Sequence, residues 1–99
     1  MTVGAAQRED VMPTVIAHHT ITKGADHWLN SPKRDAFFGS IGVTNLRTFV
    51  NPRDPTHVAV MMDVPDMDAM GAALQTEAAA EAMNHDGVVP DSVVILVES

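Results

Sequence analysis

The chain contains no cysteine, so disulfides, thiolate metal centres and cysteine nucleophiles are excluded from any account of it. Basic residues are also scarce: six Lys and Arg stand against thirteen Asp and Glu, a formal charge of -7. Binding to a phosphate backbone gains its free energy from clustered cations that displace counterions, so nucleic acid is not an expected partner. No apolar run reaches the roughly 18 residues that a membrane-spanning helix needs. "MTVGAAQRED" lacks the charged start and apolar centre of a secretory leader. The expectation is a cytoplasmic protein with no membrane partner. Catalytic signatures are missing too. There is no H-E-x-x-H or H-x-x-x-H, no Gly-rich phosphate loop and no G-x-S-x-G elbow, so neither a metal centre nor a nucleotide site is expected.

What is present is the composition of a globular domain. Ninety-nine residues, 45% hydrophobic and 19% charged, allow one modest core and leave no room for a second. Residues 1–10 are polar and lack apolar periodicity, and read as a flexible arm before a domain spanning 11–99. "MPTVIAHHTI" is rich in β-branched residues and ends at the turn signal "TKG", which predicts a first strand. Ser31 before Pro32 predicts a helix N-terminus, with Asp26 to Asn30 as a separate turn ahead of it. Ala36, Phe37, Phe38 and Ile41 supply that helix's apolar stripe, and Gly39 and Gly42 end it.

"TNLRTFV" and "HVAVMMDV" predict an antiparallel pair whose connection, "NPRDPT", is longer than a two-residue turn. "PDMDAMGAALQTEAAAEAMNHDG" predicts a helix with Asp66 or Asp68 at its start, Gly87 past its end, and Thr76 as a second cap that would split it in two. "SVVILVES", apolar almost throughout, is expected to be a strand buried on both faces. The order β, α, β, β, α, β makes this an α+β chain, a ferredoxin-like βαββαβ unit. Its four-stranded antiparallel sheet carries the helices on one face and leaves the other uncovered.

Side chains alternate along a strand, so His18 and His19 must point to opposite faces. Val15, Ala17, His19 and Ile21 form the helix-facing set of the first strand, joined by Leu46, Thr48 and Val50, and by Val58, Val60, Met62 and Val64. The other set brings together Ile16, His18, Thr20, Arg47, Phe49, Met61 and Asp63. That face is too apolar for full solvation and too polar for a dry core, which suggests a ligand cavity beneath a second copy of the chain.

Element order, the "NPRDPTHVAVMMDV" hairpin and the run "DMDAMGAALQTEAAAEAMNHDGVVPDSVVILVE" resemble the dimeric α/β-barrel superfamily over residues 12–98. The resemblance implies a homodimer with its two sheets face to face around a cavity. It also implies a range of roles: cofactor-independent monooxygenases of the antibiotic-biosynthesis type, lactone isomerases, polyketide cyclases, haem-degrading enzymes, and stress-responsive proteins without known chemistry. The expected ligand is a small, partly apolar aromatic or polyketide-like molecule, turned over without a cofactor. The alternative of a different class is a non-catalytic structural dimer.

Within the open-face set, His18 is the candidate general base, against the plainer reading of a histidine hydrogen-bonded inside the barrel. Arg47 and Asp63 are expected to pair across adjacent strands, either as a structural ion pair or with the Arg holding a substrate carboxylate or enolate. Ile16, Thr20, Phe49 and Met61 would line the ligand site, and Trp28 beside His27 would form its rim. His19 is expected to be a satisfied core histidine. His85, in "MNHDG", reads as a helix C-terminal interaction. By resemblance to the haem-degrading relatives it is also the candidate haem ligand, although "VIAHHTI" lacks the asparagine those enzymes carry on their first strand.

Overall fold

A computed structural model of the chain describes residues 13–99; the expected N-terminal arm and the start of the domain at Val11 lie outside the described residues. The elements are β1 (Thr14–Thr20), α1 (Ala25–Leu29), α2 (Pro32–Gly39), β2 (Thr44–Asn51), β3 (Asp54–Asp63), α3 (Met67–Ala73), α4 (Glu77–Asp86), a 3-10 turn (Pro90–Ser92) and β4 (Val94–Val97). The sheet is antiparallel with order β2-β3-β1-β4, the ferredoxin-like arrangement anticipated from element order. No helix among the described residues is long and apolar enough to cross a membrane.

Local chemistry fixes the helix boundaries. Ser31 accepts a hydrogen bond from Arg34 N with Pro32 at the first helical position, and Asp66 accepts from Asp68 N and Ala69 N. Thr76 accepts from Ala79 N, and this cap divides α3 from α4. Gly87 ends α4 at φ 76°, and a Cβ there would meet the Lys23 side chain at 2.8 Å, so both the left-handed backbone and the space require glycine.

The core lies between the sheet and the helices. Val15, Val58, Val60 and Met62 from the strands, with Ile21 and Val64 just past the ends of β1 and β3, pack with Trp28 and Met70 from the helices, each 2% exposed or less. Directly paired residues of an antiparallel ladder share a face, so the register defines the opposite surface in rows. Arg47, Met61, Ile16 and Leu96 form one row, and Phe49, Ala59, His18 and Val94 form the next. No element among the described residues covers these rows: Ile16 is 37%, Phe49 46% and Leu96 52% exposed.

Three expectations are corrected. β4 is not buried on both faces; it is four residues long and exposed throughout, because among the described residues it stands at the edge of the sheet and pairs with β1 alone. The β2–β3 connection is a two-residue turn at Pro52 and Arg53. Asn51 Oδ1 accepts from Arg53 N and Asp54 Oδ1 from Thr56 N, and these local bonds extend the ladder to the pair Asn51 and Asp54. In α2, Ala36 is exposed and Arg34 is buried instead, so Arg34 occupies the stripe with Phe37, Phe38 and Ile41.

Candidate functional site

A cavity of about 190 Å³ lies between the sheet and the helices, on the side opposite the open face. Ala17, His19 and Val60 form its floor, and Ile95 and Val93 one flank. Trp28, Arg34, Phe37 and Phe38 close it from α1 and α2, Met70 and Leu74 from α3, and Ala82, Met83 and Asp86 from α4. An apolar cavity of about 150 Å³ can hold benzene, so this one is of the size for one or two fused rings.

Its polar groups come from residues that interrupt an apolar period. His19 is the one polar member of the set Val15, Ala17, His19 and Ile21. Arg34 begins the i, i+3, i+4, i+7 stripe of α2, and Asp86 ends the same spacing after Ala79, Ala82 and Met83 on α4. His19 is 7% exposed, and its Nε2 has no hydrogen-bond partner among the described residues. It is therefore not the satisfied core histidine expected. Burial first, and then the neighbouring charges of His18, His57 and Arg34, lower its pKa from 6.5 to about 4, with Asp86 opposing them. The ring is neutral at physiological pH. It meets Trp28 edge-on at 5.8 Å between centroids.

Arg34 closes the end of α1. Its Nη1 donates to Trp28 O and its Nη2 to Leu29 O at 3.1 Å, while its guanidinium lies 4.8 Å from the Trp28 ring centroid. Its Nε is buried and unpartnered; Asp35 Oδ1, 3.8 Å away, is beyond hydrogen-bond reach. Two unpaired buried nitrogens thus belong to side chains lining one cavity.

The residues anticipated as a site from the other strand set do share a face. Ile16, His18, Thr20, Arg47, Phe49, Met61 and Asp63 line the open side of the sheet, where His18 stacks on His57 with ring centroids 5.3 Å apart. Trp28 is not at their rim: at 1% exposure it is in the core on the other side. Arg47 and Asp63 do not pair. Asn45 sits in a left-handed bulge at φ 53° and donates its Nδ2–H to Asp63 at 2.8 Å, while Thr14 donates Oγ1–H to the other carboxylate oxygen at 2.8 Å. These two bonds hold the Asp63 carboxyl below its usual pKa, and Arg47 is left with a long contact to Met61 Sδ at 3.8 Å.

His85 fits haem poorly. The neighbouring cavity is of single-ring or two-ring size, far below a macrocycle of four pyrroles.

No protein-family model matches the chain, and no curated protein matches it by sequence. Solved structures do match. A structure described as an antibiotic biosynthesis monooxygenase is 19% identical, covering 89% of this chain and 97% of its own, with a TM-score of 0.60. SnoaB, a cofactor-independent oxygenase from Streptomyces nogalater, is 13% identical, covering 89% of each chain, with a TM-score of 0.61. A conserved protein from Methanosarcina mazei, 8% identical over 94% of this chain and 96% of its own, reaches 0.61 as well. The chain therefore has the ferredoxin-like fold found in antibiotic-biosynthesis-type monooxygenases, as the resemblance in sequence pattern implied. At these identities the likeness establishes the fold, and chemistry has to be argued from the site.

Proposed function

We propose that the protein is a homodimer that binds a small, partly apolar phenolic or enolic molecule in the cavity between sheet and helices and oxygenates it without a cofactor. The observation that carries this reading is the pair of buried, unpartnered nitrogens, His19 Nε2 and Arg34 Nε, on residues that line a single, otherwise apolar cavity. Orphaned buried polar atoms are costly. A ligand with one acidic hydroxyl and one acceptor oxygen would satisfy both.

In this reading neutral His19 accepts the hydroxyl proton. Alone it is a weak base, but the resulting imidazolium lies beside the anion it has created, and each stabilises the other in a site of low dielectric. Arg34 Nε–H donates to the developing oxyanion, so the charge is met by a donor already in place. The electron-rich anion is then the reductant of dioxygen. A methine carbon para to a hydroxyl gains one oxygen atom as a carbonyl, and the second leaves as water.

The dimer half of the proposal rests on the open face, where Ile16, Phe49, Val94 and Leu96 expose apolar surface next to the His18–His57 stack and Arg47. A second sheet laid on these rows would bury it. The same fold in SnoaB, a cofactor-independent oxygenase, supports the reaction class.

Binding of 1-naphthol, followed through Trp28 fluorescence, and oxygen uptake with 1,5-dihydroxynaphthalene test the site. The expected result is saturable quenching and uptake of one O2 per quinone formed, with uptake lost in His19→Ala and retained in His18→Ala. Loss in His18→Ala with retention in His19→Ala would move the base to the open face. Neither quenching nor uptake would leave a non-catalytic dimer.

A further inference from the structure

His27, His85 and Asp86 lie outside the chemistry above, except that Asp86 also lines the cavity. One ligand atom from each can be chosen so that all three lie within 4.8 Å of one another. His27 comes from α1 and the other two from the last turn of α4, so the cluster ties two helices together at one end of the domain. We propose that these three side chains form a site for a divalent transition-metal ion of the zinc class.

The chemistry of the donors selects the ion. Two imidazoles and one carboxylate suit Zn²⁺, Co²⁺, Ni²⁺ or Cu²⁺, whereas Mg²⁺ and Ca²⁺ take oxygen ligands almost alone. The Asp86 carboxylate is nearly removed from water, its residue 4% exposed, and among the described residues its hydrogen bonding is one contact, 2.8 Å from Oδ1 to His85 Nδ1. A carboxylate so placed favours a second cationic partner.

The geometry needs one adjustment. With metal–ligand bonds of about 2.1 Å, donors stand about 3.0–3.5 Å apart at octahedral or tetrahedral angles. The His85 and Asp86 donors, 2.8 Å apart, are already close to a right-angled pair at an ion. The widest separation of 4.8 Å must close by somewhat over an ångström, and His27 can supply that movement because its side chain is exposed on a five-residue helix.

His27 Nε2 lies 2.6 Å from His85 O and donates to it when protonated. A metal-bound histidine commonly gives its second ring N–H to a backbone carbonyl in this way; His27 offers an ion Nδ1 where it keeps this contact through the movement, and Nε2 where it gives it up. Lys23 Nζ lies beside the site, 2.9 Å from Asn84 O and 3.5 Å from His85 O. It disfavours the ion, so affinity is expected in the micromolar range. Three protein ligands leave further positions for water.

The full chain, stripped with chelator, is titrated with CoCl2 and then ZnCl2. Expected are one Co²⁺ per chain with visible d–d absorption, displacement by Zn²⁺, and an affinity about 100-fold lower in His27→Ala and Asp86→Asn. His57→Ala should leave it unchanged, as a check on the His18–His57 stack. His27 is exposed, so His27→Ala keeps the fold even if Asp86→Asn does not, and circular dichroism verifies this. Absence of binding, binding that survives His27→Ala, or binding lost in His57→Ala would each overturn the proposal. None of these results depends on 1-naphthol binding or oxygen uptake, so this site and the cavity reading can fail separately.

Discussion

Along β1, Val15, Ala17 and His19 turn toward the helices, while Ile16, His18 and Thr20 turn away, and the two sides of the same strand have different environments. The helix side is covered over its centre, where Val15, His19, Val58, Val60 and Met62 are buried, and a polar atom there that lacks a partner stands out because water does not reach it. The open side mixes apolar and polar residues at intermediate to high exposure, where water can satisfy any group and an unpaired side chain carries little information. Polar residues therefore point to chemistry in proportion to how thoroughly their surroundings exclude water. By that measure His19 and Arg34 outrank His18 and Arg47.

The contrast can be broken most severely at Trp28. Trp28→Ala should cost about 3–5 kcal/mol through lost burial and the cavity left behind, read as a lower midpoint in urea unfolding with little change in slope. Phe49→Ala, an aromatic truncation on the open side, should cost the isolated chain under about 1 kcal/mol.

Next in size is association. Leu96→Asp should convert a dimer to a monomer in analytical ultracentrifugation at micromolar concentration, whereas Leu29→Asp, at a position of comparable exposure on α1, should leave the sedimenting species unchanged. Equal effects of the two would remove the open face as the interface.

A pH titration sharpens the comparison further. His19 has a folded pKa of about 4, below its ordinary 6.5, so between these values the unfolded chain binds the extra proton. The neutral, folded ring contributes fully above pH 6.5, and stability falls as pH drops from 6.5 toward 4. His19→Gln should flatten the melting temperature across that window. The loss at more acid pH, to which Asp54 and Asp63 with their lowered pKa values contribute, should remain. The smallest effect is local: Thr76→Ala removes the cap that separates α3 from α4 and should cost about 1 kcal/mol.

Element order, helix caps and the two residue sets of β1, β2 and β3 were legible in the sequence because they depend on local period and turn chemistry. Three things were not. The exposure of β4 depends on its neighbours in the sheet, and "VVILV" reads the same at a covered centre and at a bare edge. The Arg47–Asp63 pair failed because one left-handed residue, Asn45, shifts the register and takes over the carboxylate. The cavity within the single chain was not foreseen, because alternation divides a strand into faces without showing where packing leaves a void. A signal for it was available: His19, Arg34 and Asp86 each break an apolar period, and such breaks deserve more weight than polar residues among polar neighbours. His27 and His85, 58 positions apart, are joined only by the tertiary fold.

The bare edge of β4 has a consequence for handling the protein. Among the described residues its one strand neighbour is β1, and by the dimer proposal the open-face surface of Val94 and Leu96 is covered by a second chain. Folding free energy and association free energy are then linked by mass action. Dilution becomes a denaturant: each tenfold reduction in chain concentration lowers the melting temperature by a fixed decrement. The amides of β4 would be the first to exchange with solvent as the partner departs.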